Sequence, residues 1–97
     1  MNHRTLTDWA LVRTDRIVHL VGFDPKMKLC VMVPYLKSYD EKTGVMTCRK
    51  STVKLEGPAG PSDRVKAFVK RNMPKGEYVT HRLGDYSTEF TEDDIPF

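Results

Sequence analysis

Between residues 9 and 55 the sequence is rich in apolar and β-branched residues, and short turn-forming segments interrupt it. Such residues favour strands, and over residues 29–35 they recur at every second position, as they do on one face of a strand. We predict strands over residues 9–23, 27–37 and 45–55, the first of which can also be two short strands broken near Thr14 and Asp15.

The predicted strands are separated by residues that favour turns and bulges. Asp24-Pro25-Lys26 is a turn in which proline fixes φ, and residues 38–44 form a polar hairpin loop that ends in glycine. Gly22 predicts a bulge or tight bend, and Pro34 places its part of the second strand at an edge or bulge. Residues 57–61, Gly-Pro-Ala-Gly-Pro, end the sheet and form a stiff connector.

One amphipathic helix follows the connector. Ser62 and Asp63 can cap a helix that continues to about Asn72, and an apolar stripe at helical spacing should pack on the sheet: Val65, Phe68, Val69 and Met73. Pro74-Lys75-Gly76 ends this helix, and the alternation over residues 77–83 predicts a closing strand.

The fold class expected from this order is mainly β with one helix. A small curved barrel hides sheet edges that a short chain has little material to cover. A helix between the third and fourth strands favours an OB-like barrel, with an SH3-like barrel and an appended helix as the alternative. We expect a basic barrel domain over residues 1–84 and a flexible acidic tail over residues 85–97.

Composition limits the classes of function. A chain of 97 residues with 39% hydrophobic and 30% charged residues is typical of one globular domain. The N-terminus has no apolar export segment, so we expect a cytoplasmic protein in which Cys30 and Cys48 stay reduced. The histidines and cysteines lack metal-ligand spacing, and no catalytic motif is recognisable. We therefore expect no metal, no cofactor and no enzymatic activity.

The net charge of +3 is unevenly distributed. Residues 85–97 hold five acidic side chains and no lysine or arginine, a net charge of −5, whereas residues 1–84 hold all 16 basic residues and the other eight acidic ones, a net charge of +8. A basic body joined to an acidic tail is the arrangement expected when the body binds a polyanion and the tail binds proteins.

Binding of single-stranded nucleic acid needs basic side chains interleaved with aromatic rings on which bases stack. Phe23, Lys26 and Tyr78 have the right chemistry, and for Trp9, Phe23 and Tyr35 core packing is the alternative role. Tyr39 is expected in the polar hairpin, where packing against its own loop is the alternative. The predicted nucleic-acid-binding residues are Trp9, Arg13, Arg16, Lys28, Tyr35, Lys37, Tyr39, Lys42, Arg49, Lys50 and Lys54.

The sequence closes on Thr91-Glu92-Asp93-Asp94-Ile95-Pro96-Phe97, an acidic lead-in to an apolar end. The final Asp-Asp-Ile-Pro-Phe resembles the C-terminal tip of bacterial single-stranded DNA-binding proteins, which recruits replication, recombination and repair enzymes. The resemblance covers less than a tenth of the chain. It implies a protein-docking site formed by Glu92, Asp93, Asp94, Ile95, Pro96 and Phe97, in which ring and carboxylates meet an apolar pocket with a basic rim.

These features together predict a non-catalytic single-stranded DNA-binding protein of replication, recombination or repair. Its basic body would bind DNA, and its tail would recruit DNA-processing enzymes. If the body is an OB fold, family resemblance favours a homo-oligomer. The alternative is a phage- or plasmid-type adaptor or inhibitor that mimics the tip, recruits or blocks host repair enzymes, and binds no DNA. No membrane association is expected, because no apolar run approaches the length of a membrane span.

Overall fold

The computed structural model describes residues 2–86. They form a mainly β domain with one α-helix, as the sequence predicts. In chain order the elements are β1 Asn2–Thr14, β2 Ile17–Asp24, β3 Leu29–Val33, β4 Leu36–Asp40, β5 Val45–Cys48, β6 Ser51–Leu55, α1 Asp63–Asn72, β7 Glu77–Tyr78 and a 3₁₀ helix Thr80–Asp85.

The strands form one curved sheet in the order β3-β2-β1-β6-β5-β4, and β7 adds to β1. Residues 2–6 of β1 pair in parallel with β6, whereas the later residues of β1 pair antiparallel with β2 and with β7. The sheet curves but does not close, since β3 and β4 stand at opposite ends of the strand order. It therefore keeps the curvature expected of a barrel without the closure.

A register shift between Thr7 and Ala10 bends β1 at the junction of these two pairings. Asp8 has a φ of 52° there, the left-handed conformation that an inserted residue of a bulge adopts. The shift reverses the alternation of faces. Leu6 and Leu11, which a regular strand would point to opposite faces, therefore both enter the same core.

The domain has two hydrophobic cores on opposite faces of the sheet. The first core includes Leu6, Trp9, Leu11, Leu20, Met46, Cys48, Val53, Leu55 and Val79. The second core lies under α1, where Val65, Val69 and Met73 pack against Ala10, Val12 and Val21. The predicted apolar stripe of the helix is thus confirmed, as is its cap, since the Ser62 side chain accepts a hydrogen bond from the Val65 N–H.

Two predicted strands are each divided by a corner. The predicted strand over 27–37 is wrong in its continuity, because Pro34 and Tyr35 separate β3 from β4. The strand predicted over 45–55 is also wrong in its continuity, because it is two strands, β5 and β6, which pair antiparallel across a hairpin turn at Arg49 and Lys50. At Pro34 and Tyr35 the chain instead passes from one end of the strand order to the other. We call both places corners, and alternation of side chains alone does not reveal where they fall.

The two ends of the described chain also differ from expectation. The first strand begins at Asn2 rather than near residue 9, because parallel pairing with β6 holds polar residues in the sheet. The predicted closing strand is wrong beyond Tyr78, where a 3₁₀ helix replaces it. Tyr86, assigned to the tail, packs against the first core, and its carbonyl accepts a hydrogen bond from the Tyr39 N–H at 2.7 Å. The docking residues 92–97 lie outside the described residues.

Within residues 2–86 no helix has the length and apolar character needed to cross a lipid bilayer.

Gly22 lies in β2 where the bend of β1 passes close by. A Cβ at this position would lie 3.0 Å from the Leu6 Cβ and 3.1 Å from the Thr7 carbonyl oxygen, and neither atom can swing away. Gly22→Ala should therefore lower the free energy of unfolding by about 1–3 kcal/mol. Gly60→Ala is the matched control, because a Cβ there meets nothing within 4 Å.

Urea denaturation of both variants measures the difference. Gly60→Ala should stay within about 0.5 kcal/mol of the wild-type protein. Equal stability of the two variants would contradict the close approach of β1 and β2.

Candidate nucleic-acid interface

The two corners that divide the predicted strands lie against each other. The Arg49 N–H donates a hydrogen bond to the Tyr35 carbonyl oxygen at 3.0 Å, and Leu36 is the register partner of Cys48. Side chains at a corner leave the regular alternation, so neighbouring residues can be presented together on one surface. The contact brings aromatic and basic side chains together although they are distant in sequence.

Tyr35 is held in an unusual conformation and is exposed. Its φ is 60°, in the left-handed region that bulky residues avoid, and 52% of its surface is accessible. The guanidinium carbon of Arg49 lies over its ring, 5.4 Å from the ring centroid. This cation–π contact orients both groups at the surface. One face of the ring supports Arg49, and the exposed remainder offers a flat apolar surface.

A cavity of about 380 Å³ opens beside the stacked pair. Val33, Pro34 and Cys48 form its apolar wall, and Lys50 and Ser51 add polar groups to its rim. A second cavity of about 460 Å³ continues from it along β5 and β6, with Lys37 and Thr52 in its lining. We call this surface, formed by Tyr35, Lys37, Arg49, Lys50 and Ser51, the corner site.

The corner site combines a buried thiol with exposed cations. Burial raises the pKa of the Cys48 thiol, which holds the sulfur in its protonated, weakly nucleophilic form at neutral pH. Arg49 and Lys50 are exposed cations, and none of the four cavities described for residues 2–86 places an acidic side chain beside them. Within the same residues no group of three histidine, cysteine or acidic side chains could hold a metal ion.

The corner site continues into a third and a fourth cavity. A cleft of about 230 Å³ is lined by residues of β3 and β6 and by Arg4. Arg4 also lines a cavity of about 590 Å³, together with Lys26 and Lys54. We call this cavity the Arg4 cavity. The four cavities share lining residues, and we call them together the groove.

The structure brings part of the predicted nucleic-acid-binding set together. Tyr35, Lys37, Arg49 and Lys50 meet at the corner site, and Lys54 lines the Arg4 cavity.

Two predicted aromatic residues have structural roles instead. Trp9 is 4% exposed, and its indole N–H donates a hydrogen bond to the Gly57 carbonyl oxygen at 3.1 Å, so core packing is its role. Tyr39 belongs to β4 rather than to the hairpin loop, and its half-buried ring packs against the first core. The prediction of an exposed loop tyrosine is therefore wrong.

The remaining predicted cations are not among the residues that line the four cavities. The Arg13 guanidinium pairs with the Glu77 carboxylate at 2.7 Å. Arg16, Lys28 and Lys42 lie in the turns that follow β1, β2 and β4. The sequence does not distinguish these residues from Arg49 and Lys50, because only the fold decides which basic side chains lie near one another.

Arg4 and Ser51 line the groove, but neither was a candidate from sequence. The polar segment before residue 9 has no alternation that would place it in the sheet. The single clue was Leu6, an apolar residue two positions from Arg4. Period-two spacing would have placed both side chains on one face of a strand.

Comparison of the chain with protein-family models, curated proteins and solved structures finds no match. Proposals about function therefore rest on the groove and on the residues of the acidic end.

The left-handed conformation of Tyr35 predicts an inverted response to glycine. At a φ of 60° glycine is free of the strain that alanine has, so Tyr35→Gly should be about 0.5–1 kcal/mol more stable than Tyr35→Ala. Lys37, in strand β4, provides the control. Lys37→Ala should be about 0.5–1 kcal/mol more stable than Lys37→Gly, because the backbone at Lys37 has no positive φ.

Thermal or urea unfolding of the four variants gives the comparison. The same order of alanine and glycine at both positions would refute the strained conformation of Tyr35.

Proposed function

We propose that the protein binds single-stranded DNA along the groove and recruits DNA-processing enzymes through its acidic C-terminal segment. The observation that carries the proposal is the corner site, in which an exposed tyrosine ring braced by an arginine lies among lysines beside an apolar cavity. The proposed role is non-catalytic and cytoplasmic, in DNA replication, recombination or repair.

The corner site suits an unpaired base better than a base pair. Tyr35 has an exposed aromatic surface, and the adjoining wall of Val33 and Pro34 is apolar. Stacking of a base on an aromatic ring requires that the base has left its own helix. These features favour a single strand.

The charges along the groove suit a phosphate backbone. Arg49, Lys50 and Lys37 lie at one end, and Arg4, Lys26 and Lys54 at the other. Asp24 is the acidic residue in the lining, and it is 4% exposed and paired with Arg4. A strand that follows the groove would meet cations along its path, and displaced counterions would make its affinity depend on salt.

The acidic end supports the DNA assignment and the recruiting role. Residues 92–97 resemble the enzyme-docking tip of bacterial single-stranded DNA-binding proteins, and their charge is opposite to that of the groove. In the proposal the Phe97 ring and Ile95 fill an apolar pocket of a partner enzyme, while Asp93 and Asp94 approach a basic rim.

The DNA-binding proposal predicts a specific loss of affinity and of salt dependence. Fluorescence anisotropy with labelled oligo-dT should show binding by the wild-type protein that weakens steeply as salt increases. Arg49→Ala with Lys50→Ala should reduce the slope of log K against log salt by about 1.4, because two phosphate contacts are lost. Tyr35→Gly should lose about 1–3 kcal/mol of binding free energy, the contribution of one stacked base.

A second double variant with the same change in net charge shows whether the reduced salt dependence comes from the lost groove contacts or from net charge alone. Lys66→Ala with Lys70→Ala removes two exposed cations from α1, away from the groove, and should leave the slope unchanged. No oligo-dT binding at low salt would refute the DNA-binding role and leave the tip-mimicking adaptor as the function. Equal losses in the two double variants would refute the groove as the site.

The docking proposal predicts that removal of Phe97 abolishes binding to an enzyme that recognises the tip of bacterial single-stranded DNA-binding proteins. Surface plasmon resonance with one purified enzyme of this class measures the loss. Phe90→Ala is the control, because it removes a phenylalanine from the same acidic end but outside the tip. Oligo-dT affinity of the Phe97 deletion should equal or slightly exceed the wild-type value. Enzyme binding that survives the deletion would refute the docking role.

A further inference from the structure

We propose that the Arg4 cavity binds a phosphate monoester, which places the phosphorylated end of a DNA strand at one end of the groove. The binding of phosphate rests on the cavity alone. Its assignment to a strand end rests in addition on the proposed DNA-binding function.

The central observation is an arginine held by a buried carboxylate. Arg4 Nε lies 3.4 Å from Asp24 Oδ2, and the Asp24 side chain is 6% exposed. The other oxygen of this carboxylate, Oδ1, accepts hydrogen bonds from the backbone N–H groups of Lys26 and Met27 at 2.9 and 3.1 Å. The turn after β2 therefore holds the Asp24 carboxylate in place, and the carboxylate holds the Arg4 side chain in place.

This arrangement leaves the outer part of the guanidinium available for a ligand. The ion pair uses Nε, and the Nη nitrogens make no hydrogen bond within residues 2–86. An arginine that an ion pair already holds in position loses little side-chain entropy when it binds an anion. Its planar fork can then donate two hydrogen bonds to two oxygens of one phosphate.

Two lysines complete a cationic lining. Lys26 follows β2 and Lys54 lies on β6, so separate elements bring two lysines to the lining that contains Arg4. Within the described residues neither lysine forms an ion pair. With one carboxylate against three cations, the lining carries two net positive charges when His3 is neutral.

The charge and the polar groups match a monoester rather than a backbone phosphate. A diester in the backbone carries one negative charge, whereas a terminal phosphate carries about 1.5–2 near neutral pH and presents three acceptor oxygens. His3 Nδ1 and Thr52 Oγ1 are hydrogen-bonded at 2.6 Å on the same wall, which adds polar groups near the cations. At about 590 Å³ the cavity has room for a terminal nucleotide as well as its phosphate.

The cavity also has the right position for the end of a strand. Arg4 lines both the Arg4 cavity and the cleft of about 230 Å³. This cleft shares Val33, Pro34 and Ser51 with the cavity beside Tyr35. A strand whose terminal phosphate meets Arg4 could continue through this cleft and stack a later base on the Tyr35 ring. The Arg4 cavity would therefore fix the position of one end of the bound strand.

The test compares short oligo-dT strands of equal length that carry a 5′-phosphate, a 3′-phosphate or hydroxyl groups at both ends. Competition anisotropy should show about five- to tenfold tighter binding of one phosphorylated form than of the hydroxyl form. Inorganic phosphate and thymidine monophosphate should shift the same backbone NMR resonances, those of Arg4, Asp24 and Lys54.

Variants test whether the planar guanidinium of Arg4 is needed or whether any positive charge at this position is sufficient. Arg4→Ala and Lys54→Ala should each remove most of the preference for the phosphorylated strand. Arg4→Lys should restore the affinity for the hydroxyl form but not the preference, because an ammonium group lacks the planar fork. Lys70→Ala, on the helix, should retain the full preference.

The possible outcomes separate the two proposals. Shifts with inorganic phosphate and a preference for one phosphorylated end support the inference. NMR shifts without a preference for either phosphorylated end support phosphate binding in the cavity and assign it to free phosphate monoesters. The same assignment holds if the NMR shifts occur but no oligonucleotide binds, in which case the DNA-binding function fails. Equal affinity for all strands together with no shift overturns the inference and leaves the DNA-binding function standing.

Discussion

The whole domain depends on one bend in β1. A regular strand presents alternate residues to one face, so Leu6 would face away from Trp9 and Leu11. The inserted residue at Asp8 corrects this, and all three side chains enter the first core while Ala10 and Val12 enter the second. The bend also lets one strand pair with β6 over its first residues and with β2 over its last. Two cores and a curved sheet follow from a single change of register.

The groove lies where this regularity ends. Inside a strand the hydrogen-bond ladder fixes both neighbours and faces, and most apolar side chains are committed to a core. At the corners of residues 34–35 and 49–50 the chain leaves the ladder, and its side chains become available for other contacts. Tyr35 adopts a strained conformation at this place, with its ring exposed and Arg49 against it. Strain of this kind is a cost in stability that is typical of functional sites.

The sequence predicted the features that have local causes. The helix was identified with its cap at Ser62 and its apolar stripe, because both are set by residues within a few positions of each other. The mainly β fold followed from alternation in the same way. Tyr35, Lys37, Arg49 and Lys50 were selected by chemical type, although nothing in the sequence showed that the two corners touch.

The features that were missed have causes far away in the chain. The segment around Arg4 is polar and becomes a strand only because β6 pairs with it. The predicted closing strand becomes a 3₁₀ helix after Tyr78, and the Leu83 side chain packs against the first core there. Trp9 has the chemistry of a stacking residue but lies in a core that the bend creates. Pattern and propensity describe neighbours in sequence, whereas these outcomes depend on neighbours in space.

The parallel pairing of residues 2–6 with residues 51–55 sets the order in which the domain can be assembled. The hairpins of β1 with β2 and of β4 with β5 join nearby segments and can close early. The N-terminal segment must wait for a strand nearly fifty positions later, and closing so long a loop is slow. During synthesis that segment emerges first and docks late.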